Sequence, residues 1–519
     1  MRFVVLLSGL VVIACSGSAP PSVAASRALA PRQPGACTQL AHARFGAAVG
    51  AAVAVRSATV VEVSAGLPAY CRVVATIAPK NTVEIRLPVS GWEGRLLMAG
   101  CGGLCGAVQM ARTDDALARG YAVAHTDMGH AEADLAFADD PQALEDFAHR
   151  STHVATRLLK GVAKAYYGRA HQYAYFRGCS TGGRQGLTAA LRYPGDYDGI
   201  VAGAPASGAA VPNIAWALQS NTRRDGSSIL DVPAIRVLHD AVLRACDLDD
   251  SVRDGIVGDP SSCRFDPVDL TCGNAATDAC LSGEQVEAAR RIYAGVPHPD
   301  GTPYASLGYA RGGEQGWLRT LVRTDRPPGM QGVAANFLRR YVDLPDAPKS
   351  LAAFDFTRLP VRLTAVDELP SFGPDGRRLA AFEKSGGKLL LYHGWSDDSL
   401  TPATSIDVYT AHARAFGGRE RLDPFFRLFM IPGMYHCRGG PGADAVDFLD
   451  AIARWVEQRE PPAQLVVYKP AQIVPLPAEY RLPLPARERL NSRPVYPWPA
   501  TAIYSGKGEV RDASSWRAR

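Results

Sequence analysis

The chain has no block of five or six like charges and no internal repeat. Its most apolar stretch, Phe3 to Ala14, is too short to cross a bilayer comfortably. The first absence removes a nucleic-acid or membrane-surface patch; the last removes a spanning helix at that point. Charge of either sign is nearly balanced, 56 Lys and Arg against 51 Asp and Glu for a net +5, and the charges are interspersed. This is the composition of a soluble globular protein. At 519 residues the chain accommodates one large domain with a sizeable insertion, or two domains, and core size is not limiting.

What the N-terminus does have is Arg2 followed by the run Phe3 to Ala14, the length of a signal-peptide core, so residues 1–25 read as an export leader. Two processing routes fit. Val12-Ile13-Ala14-Cys15 resembles a bacterial lipoprotein box with Cys15 as the lipidated residue, and Ser22-Val23-Ala24 fits ordinary cleavage after a small residue. A membrane is expected as a partner only if Cys15 is lipidated. Of the 11 cysteines, setting Cys15 aside leaves ten, an even number suited to disulfides in an oxidising compartment.

From about residue 36 to 205, short apolar runs alternate with helical stretches, the pattern of a largely parallel sheet covered by helices. Expected strands are Val83 to Val89, Arg95 to Ala99, Tyr121 to Thr126, Tyr173 to Phe176 and Gly199 to Ala204. Val154, Leu158, Val162 and Tyr166 recur at fourfold spacing and place one apolar stripe on a helix from about Asp146 to Tyr167. Residues 206–375 change character, with frequent Gly, Pro and Asp and four cysteines between 246 and 280, and read as an inserted lid. Over 376–519 the strand rhythm returns, in Lys388 to His393 and Phe425 to Ile431. Pro-rich sequence after Val474 predicts an irregular tail.

Tyr173 to Arg177, then Gly178-Cys179-Ser180-Thr181-Gly182-Gly183, then a helical run ending before Pro194, supplies the strand, tight turn and helix of a nucleophile elbow. Glycines at 178 and 182 make room for the turn, Ser180 is the candidate nucleophile, and the N–H of Thr181 faces an oxyanion position. A serine hydroxyl is a poor nucleophile until an imidazole takes its proton. His436, after the strand ending at Ile431, is the candidate base. Asp397, in Gly394-Trp395-Ser396-Asp397-Asp398, is the candidate that orients it, with Asp398 the weaker choice. The chain order Ser, Asp, His is that of α/β-hydrolases. For the second oxyanion donor the glycine-rich stretch Ala99 to Gly106 offers Gly103, against the plainer reading of a turn.

These residues resemble the tannase and feruloyl esterase family, which also includes bacterial enzymes that cleave the monoester released from a polyester plastic. The marks are Gly178-Cys179-Ser180-Thr181-Gly182-Gly183, Tyr392-His393-Gly394-Trp395-Ser396-Asp397 and His436-Cys437, and the likeness covers most of the chain after the leader. It implies an α/β-hydrolase fold with a large inserted lid, and Ser180, Asp397 and His436 as a triad. It also implies bridges Cys179 to Cys437, Cys37 to Cys71, Cys246 to Cys263 and Cys272 to Cys280, leaving Cys101 and Cys105 as a possible pair.

Cys246 to Ile256 packs four carboxylates into eight residues, which calls for a hard cation, although Gly258 stands where an EF-hand would have its bidentate glutamate. The resemblance implies structural calcium held by the side chains of Asp247, Asp250 and Asp254 and the carbonyls of Val252 and Ile256, with Asp249 facing solvent; a solvated acidic turn is the alternative. No organic cofactor is expected. His149 and His153 lie one helical turn apart but lack the glutamate of a metalloprotease helix, and His130 reads as pocket-lining or structural. Val366 to Pro374 departs from the family's Asp-Ala-Thr-Asn-Pro-Asp-Leu motif, which bears on lid packing and substrate choice. Phe354, Phe372 and Trp395 are candidate aromatic walls, with core packing the equal alternative.

The expected protein is an exported serine esterase that cleaves a small-molecule or polysaccharide-linked aromatic ester of feruloyl or galloyl type. A terephthalate-type monoester hydrolase and a non-catalytic binding protein on the same scaffold are the alternatives, and no nucleic-acid partner is expected.

Overall fold

The computed structural model describes residues 34–64, 66–131, 135–206, 210–273, 279–297, 306–332, 334, 351, 354–356, 376–471 and 488–519. The leader with Cys15, and the departure at 366–374 with Phe372, lie outside the described residues.

Nine strands form the main sheet: β1 (Val53–Val61), β2 (Tyr70–Ile77), β3 (Asn81–Pro88), β4 (Arg95–Ala99), β5 (Ala122–Thr126), β6 (Tyr173–Cys179), β7 (Gly199–Gly203), β8 (Lys388–Gly394) and β9 (Phe426–Ile431). They run in the order β1-β2-β3-β5-β4-β6-β7-β8-β9. From β5 to β9 every pair is parallel. The β1-β2-β3-β5 edge is antiparallel, so the expected largely parallel sheet acquires a four-strand antiparallel margin. β1 and β2 are not among the expected strands because their burial alternates, between exposed and intermediate along most of β1 and between buried and intermediate in β2, unlike the nearly continuous buried runs of β5, β6, β7 and β8. The seven expected strands are all present, with no end shifted by more than three residues and Arg95–Ala99 unshifted.

Alternate residues of each central strand feed opposite cores, as a pleat requires. Leu96, Met98, Leu389 and Leu391 pack on one face with Val154, Leu158, Val162 and Tyr166 of the helix Ser151–Tyr167, which continues a π-helical turn at Asp146–Arg150. Leu97 and Leu390 pack on the other with Leu449, Ile452 and Trp455 of the helix Phe448–Glu457. Parallel strands with helices on both faces put all their C-terminal ends at one edge, where sites in such sheets form.

Between β7 and β8 the described chain is mainly helical, with helices Ala210–Ser220, Val232–Cys246 and Gly283–Ala294. Their starts are written in the sequence: Asp231 caps Ala234 ahead of Pro233, and Ser282 with Gln285 forms a capping box. The insertion's core, including Ile214, Leu238, Ile292 and Trp317, is continuous with Cys101, Cys105, Met128 and Leu400 from the sheet's own loops and with Phe147 of the π-helical turn. The insertion therefore sits on those loops.

The C-terminal tail is more regular than its prolines suggest. Leu465–Pro470 pairs with Arg489–Val495 and Ala502–Tyr504 with Trp516–Ala518, two short antiparallel ribbons that tolerate Pro494 because each has only two strands. Among the described residues no helix is long and apolar enough to cross a membrane.

Candidate active site

β6 ends at Cys179 and the helix Thr181–Arg192 begins two residues later, leaving Ser180 alone at the turn with φ 64° and ψ −122°. A non-glycine residue held there costs on the order of 1–3 kcal/mol, so its surroundings must over-determine it. They do. Ser180 N–H donates to the Gly203 carbonyl at 2.9 Å, and the Ser180 carbonyl accepts from Ala206 N–H at 3.0 Å. A β-carbon on Gly178 would lie 2.7 Å from the Gly182 backbone, and one on Gly183 would lie 2.1 Å from the Gly203 oxygen. The turn closes only because these positions are glycine.

The loops after β8 and β9 meet beside this turn. Cys179 and Cys437 are disulfide-bonded with Cα atoms 6.0 Å apart, which brings the residue after one, Ser180, and the residue before the other, His436, into the same place. His436 Nδ1 donates to Asp397 Oδ2 at 2.8 Å. Asp397 is buried, and its Oδ1 accepts the N–H groups of Ser399 and Leu400, each at 2.8 Å. Burial pushes its pKa up, but the charge of His436 and hydrogen bonds from His393 and His436 outweigh it and hold the carboxyl well below the usual range. For His436 burial pulls downward and loses to Asp397, so the imidazole is raised. The side chain of His436 is 18% exposed, open to an incoming ligand. The Ser180 hydroxyl has no hydrogen-bond partner among the described residues, and such bonds often tighten only when substrate binds.

Of the two aspartates, Asp397 bonds the imidazole ring and Asp398 does not. Asp398 accepts Nε and Nη2 of Arg319 at 3.0 and 2.5 Å, and the backbone N–H of His436 at 3.4 Å. Burial and the neighbouring Asp397 raise its pKa against the pull of Arg319.

The glycine-rich loop lies against the elbow helix. Gly103 has φ 59° with open space where a β-carbon would stand, and a disulfide between Cys101 and Cys105 closes the loop around it. Thr181 Oγ1 donates to the Gly103 carbonyl at 2.5 Å, and Cys101 N–H donates to Gln185 Oε1 at 3.0 Å. His130 Nε2 donates to the Leu104 carbonyl at 2.6 Å and stacks on Phe137, so it props this loop from behind. Thr181 and Gly103, two residues singled out by unrelated motifs, are thus directly bonded.

A family profile described as "Tannase and feruloyl esterase" matches residues 60–518. The chain belongs to that family. It is 31% identical over 551 residues to the mono(2-hydroxyethyl) terephthalate hydrolase of Piscinibacter sakaiensis, covering 89% of this chain and 88% of that one. It is likewise 31% identical over 484 residues to a probable feruloyl esterase B-2 of Aspergillus terreus, covering 86% and 85%. The crystal structure of an esterase from Aspergillus oryzae superimposes with a TM-score of 0.81 at 26% identity, over 94% of this chain and 100% of that one. The protein is a carboxylic ester hydrolase with an α/β-hydrolase fold.

In this esterase the remaining cysteines pair as Cys37–Cys71, Cys246–Cys263 and Cys272–Cys280, so all ten described cysteines are bridged. The inserted segment grips the loops at the C-terminal ends of the strands at several points. Tyr309 hydroxyl donates to the Ser399 carbonyl at 2.8 Å, Ser396 Oγ to the Gly312 carbonyl at 3.4 Å, and Arg319 lies over the Tyr435 ring while bonding Asp398. Nothing in their local sequence distinguishes Tyr309 or Arg319. Phe354 is buried against Phe356 in the insertion's core and Trp395 is buried in the sheet's core, so both pack rather than line a pocket. His149 bonds the Tyr193 hydroxyl and His153 bonds Asp196, each at 2.7 Å.

The acidic loop lies at the end of the helix Val232–Cys246. Burial, with Asp254 and Asp247 adding, pushes Asp250 up to about 6 against the opposing charge of Arg493. Asp254 is raised by burial in the same way. Arg493, on the C-terminal ribbon, bonds Asp250 and lies 3.4 Å from Asp254, while Asp247 accepts the N–H groups of Asp254, Gly255 and Ile256. Asp249 bonds Ser262 Oγ at 3.1 Å instead. Among the described residues no three carboxylate, imidazole or thiol side chains gather to hold an ion by themselves. A cation here needs the loop carbonyls as well. Calcium takes such mixed oxygen sets, and the mutual repulsion of three carboxylates against one guanidinium fits its charge.

Proposed function

We propose that this protein is an exported serine esterase of aromatic carboxylic esters, acting through an acyl-enzyme. The observation that carries the proposal is the juncture of Cys179-Ser180 with His436-Cys437, with Asp397 bonded to the far side of the imidazole. Ser180 attacks the ester carbonyl while His436 takes its proton through Nε2. Asp397 keeps Nδ1 protonated and stabilises the imidazolium. The N–H groups of Thr181, at the start of the helix, and of Gly103 receive the oxyanion. His436 then protonates the leaving alcohol and activates the water that releases the acid.

The aromatic acyl group is supported by two of the relatives, one named a mono(2-hydroxyethyl) terephthalate hydrolase and the other a probable feruloyl esterase. The inserted segment, roughly 206–375, acts as a lid that supplies the acyl pocket, supported by its packing on the loops at the C-terminal ends of the strands. A calcium ion held by Asp247, Asp250, Asp254 and the carbonyls of Val252 and Ile256 would supply positive charge that fixes the lid loop. Its role is structural. Five disulfides support an oxidising, extracytoplasmic location, reached with the leader at 1–25 removed or with Cys15 lipidated.

A terephthalate-type monoester is the second reading, favoured by the Piscinibacter sakaiensis relative. Initial rates on methyl ferulate, methyl gallate, a terephthalate monoester and a short-chain nitrophenyl ester separate the two. The proposal expects the fastest turnover on a feruloyl or galloyl ester. A preference for the terephthalate ester selects the second reading, and turnover of the nitrophenyl ester alone removes both.

A further inference from the structure

Asp397 is held by two imidazoles. His393, four residues earlier at the end of β8, is completely buried and places Nε2 3.0 Å from Asp397 Oδ2, the same oxygen that accepts from His436 Nδ1. Its other ring nitrogen, Nδ1, lies 2.7 Å from Oγ of Ser405, a buried residue in the first turn of the helix Ala403–Ala415. An ionised carboxylate can only accept hydrogen bonds, so the nitrogen facing Asp397 carries the hydrogen. The Ser405 hydroxyl, which can donate or accept, pairs with Nδ1 and fixes the orientation of the ring. With the two backbone N–H groups on Oδ1, each carboxylate oxygen has two donors, and the plane of the carboxylate is fixed.

We infer that His393 is a positioning residue of the catalytic site, its ring held by Ser405 so that Nε2–H pins Asp397 Oδ2 toward His436 and shares that oxygen's charge. The inference rests on the reading of Ser180, Asp397 and His436 as the triad. A buried histidine that merely fills space needs only volume. This one uses both ring nitrogens on polar partners, and one of those partners is the carboxylate that orients the base. The other titratable or charged groups around Asp397 are His436, Asp398 with its partner Arg319, and Tyr309, which bonds the neighbouring Ser399 carbonyl.

Removing the His393 donor has two consequences of different kind. The carboxylate gains freedom to turn away from His436, which lowers kcat. Negative charge also concentrates on Oδ2, which favours the imidazolium and moves the acidic limb of kcat/KM to higher pH.

The test is the pH dependence of kcat and KM on a short-chain nitrophenyl ester for the wild type, His393→Leu, His393→Gln, Ser405→Ala and Ser180→Ala. Leucine is expected to lower kcat by about 10²-fold, with KM changed by less than about threefold, and to raise the acidic limb. Glutamine, whose amide N–H reaches the Nε2 position, restores the limb and most of kcat. A folded leucine variant with wild-type kcat and limb overturns the inference, as does a glutamine variant as impaired as the leucine one. If the leucine variant does not fold, Ser405→Ala and His393→Gln decide: a lowered kcat with a raised limb in Ser405→Ala, relieved in His393→Gln, supports the inference, and unchanged kcat and limb in Ser405→Ala overturn it. Activity retained in Ser180→Ala removes the triad reading itself; activity lost there but untouched by His393→Leu removes only the role of His393.

Discussion

Cys179 and Cys437 are 258 residues apart in sequence and 6.0 Å apart between Cα atoms, and their disulfide ties the Ser180 turn to the His436 loop. Ser180, beside the bridge, and Cys437, which forms it, both have φ of 64°, a backbone that few side chains tolerate. The bridge is the covalent answer to a problem of long-range placement, because the two loops leave different strands, β6 and β9, separated in the sheet by β7 and β8.

Replacing Cys179 and Cys437 together by serine is expected to lower stability by roughly 3–5 kcal/mol, since the bridge closes a very long loop of the unfolded chain. It should also lower kcat more than it raises KM, because a shift of about 1 Å in His436 costs about 10²-fold in rate. Thermal melting and steady-state kinetics of the double variant check both.

The pH profile follows from the charges around the imidazole. Activity needs neutral His436, whose pKa is raised by Asp397, so kcat/KM should climb through a limb above the ordinary imidazole value of about 6.5. Asp397→Asn should move that limb down and cut kcat by about 10⁴-fold. Stability has the matching signs. The His436 contribution is full below the unfolded imidazole pKa and is lost as pH rises through the raised folded one. The Asp397 contribution is present above the unfolded carboxyl pKa and is lost as pH falls through the lowered one. Melting temperature measured against pH in the wild type and Asp397→Asn gives these slopes.

Thr181 bonds the Gly103 carbonyl through its hydroxyl, while its own N–H is the proposed oxyanion donor. Thr181→Val keeps the N–H and deletes the bond, so kcat should fall by about tenfold, short of the 10²–10³ expected for losing a donor outright. Thr181→Ser should sit near the wild type. Equal kcat in all three proteins would show that the loop needs no such tie.

Chelation tests the acidic loop. Removing calcium should lower the melting temperature by several degrees and leave the initial kcat of the still-folded enzyme close to its starting value; readdition restores the melting temperature. Asp250→Asn should lower melting in the presence of calcium and blunt the response to chelator, because Asp250 is buried among the proposed ligands.

The central sheet was legible because β4 through β9 are continuous apolar runs ended by polar loops, and the site residues sit in those loops with short-range signatures. Ser180 announces itself through flanking glycines, and His436 through the cysteine beside it. β1 and β2 are less legible because their burial alternates along the strand instead of forming a continuous apolar run. The tail's ribbons escaped because proline reads as irregularity unless the partner strand is known. The sequence ranks Asp397 above Asp398, but the physical difference is not local: both are buried carboxylates at one loop, and the distant partners, His436 for one and Arg319 for the other, tell them apart. Long-range pairs of this kind, including Arg493 on Asp250, leave no local mark.

The most direct measurement is intact and peptide mass spectrometry of the purified enzyme quenched within milliseconds of mixing with a nitrophenyl ester, alongside Ser180→Ala. The account predicts a burst of nitrophenol and a transient acyl adduct on the peptide containing Ser180, both absent from the variant. Steady turnover in Ser180→Ala, or an adduct on another residue, would contradict it.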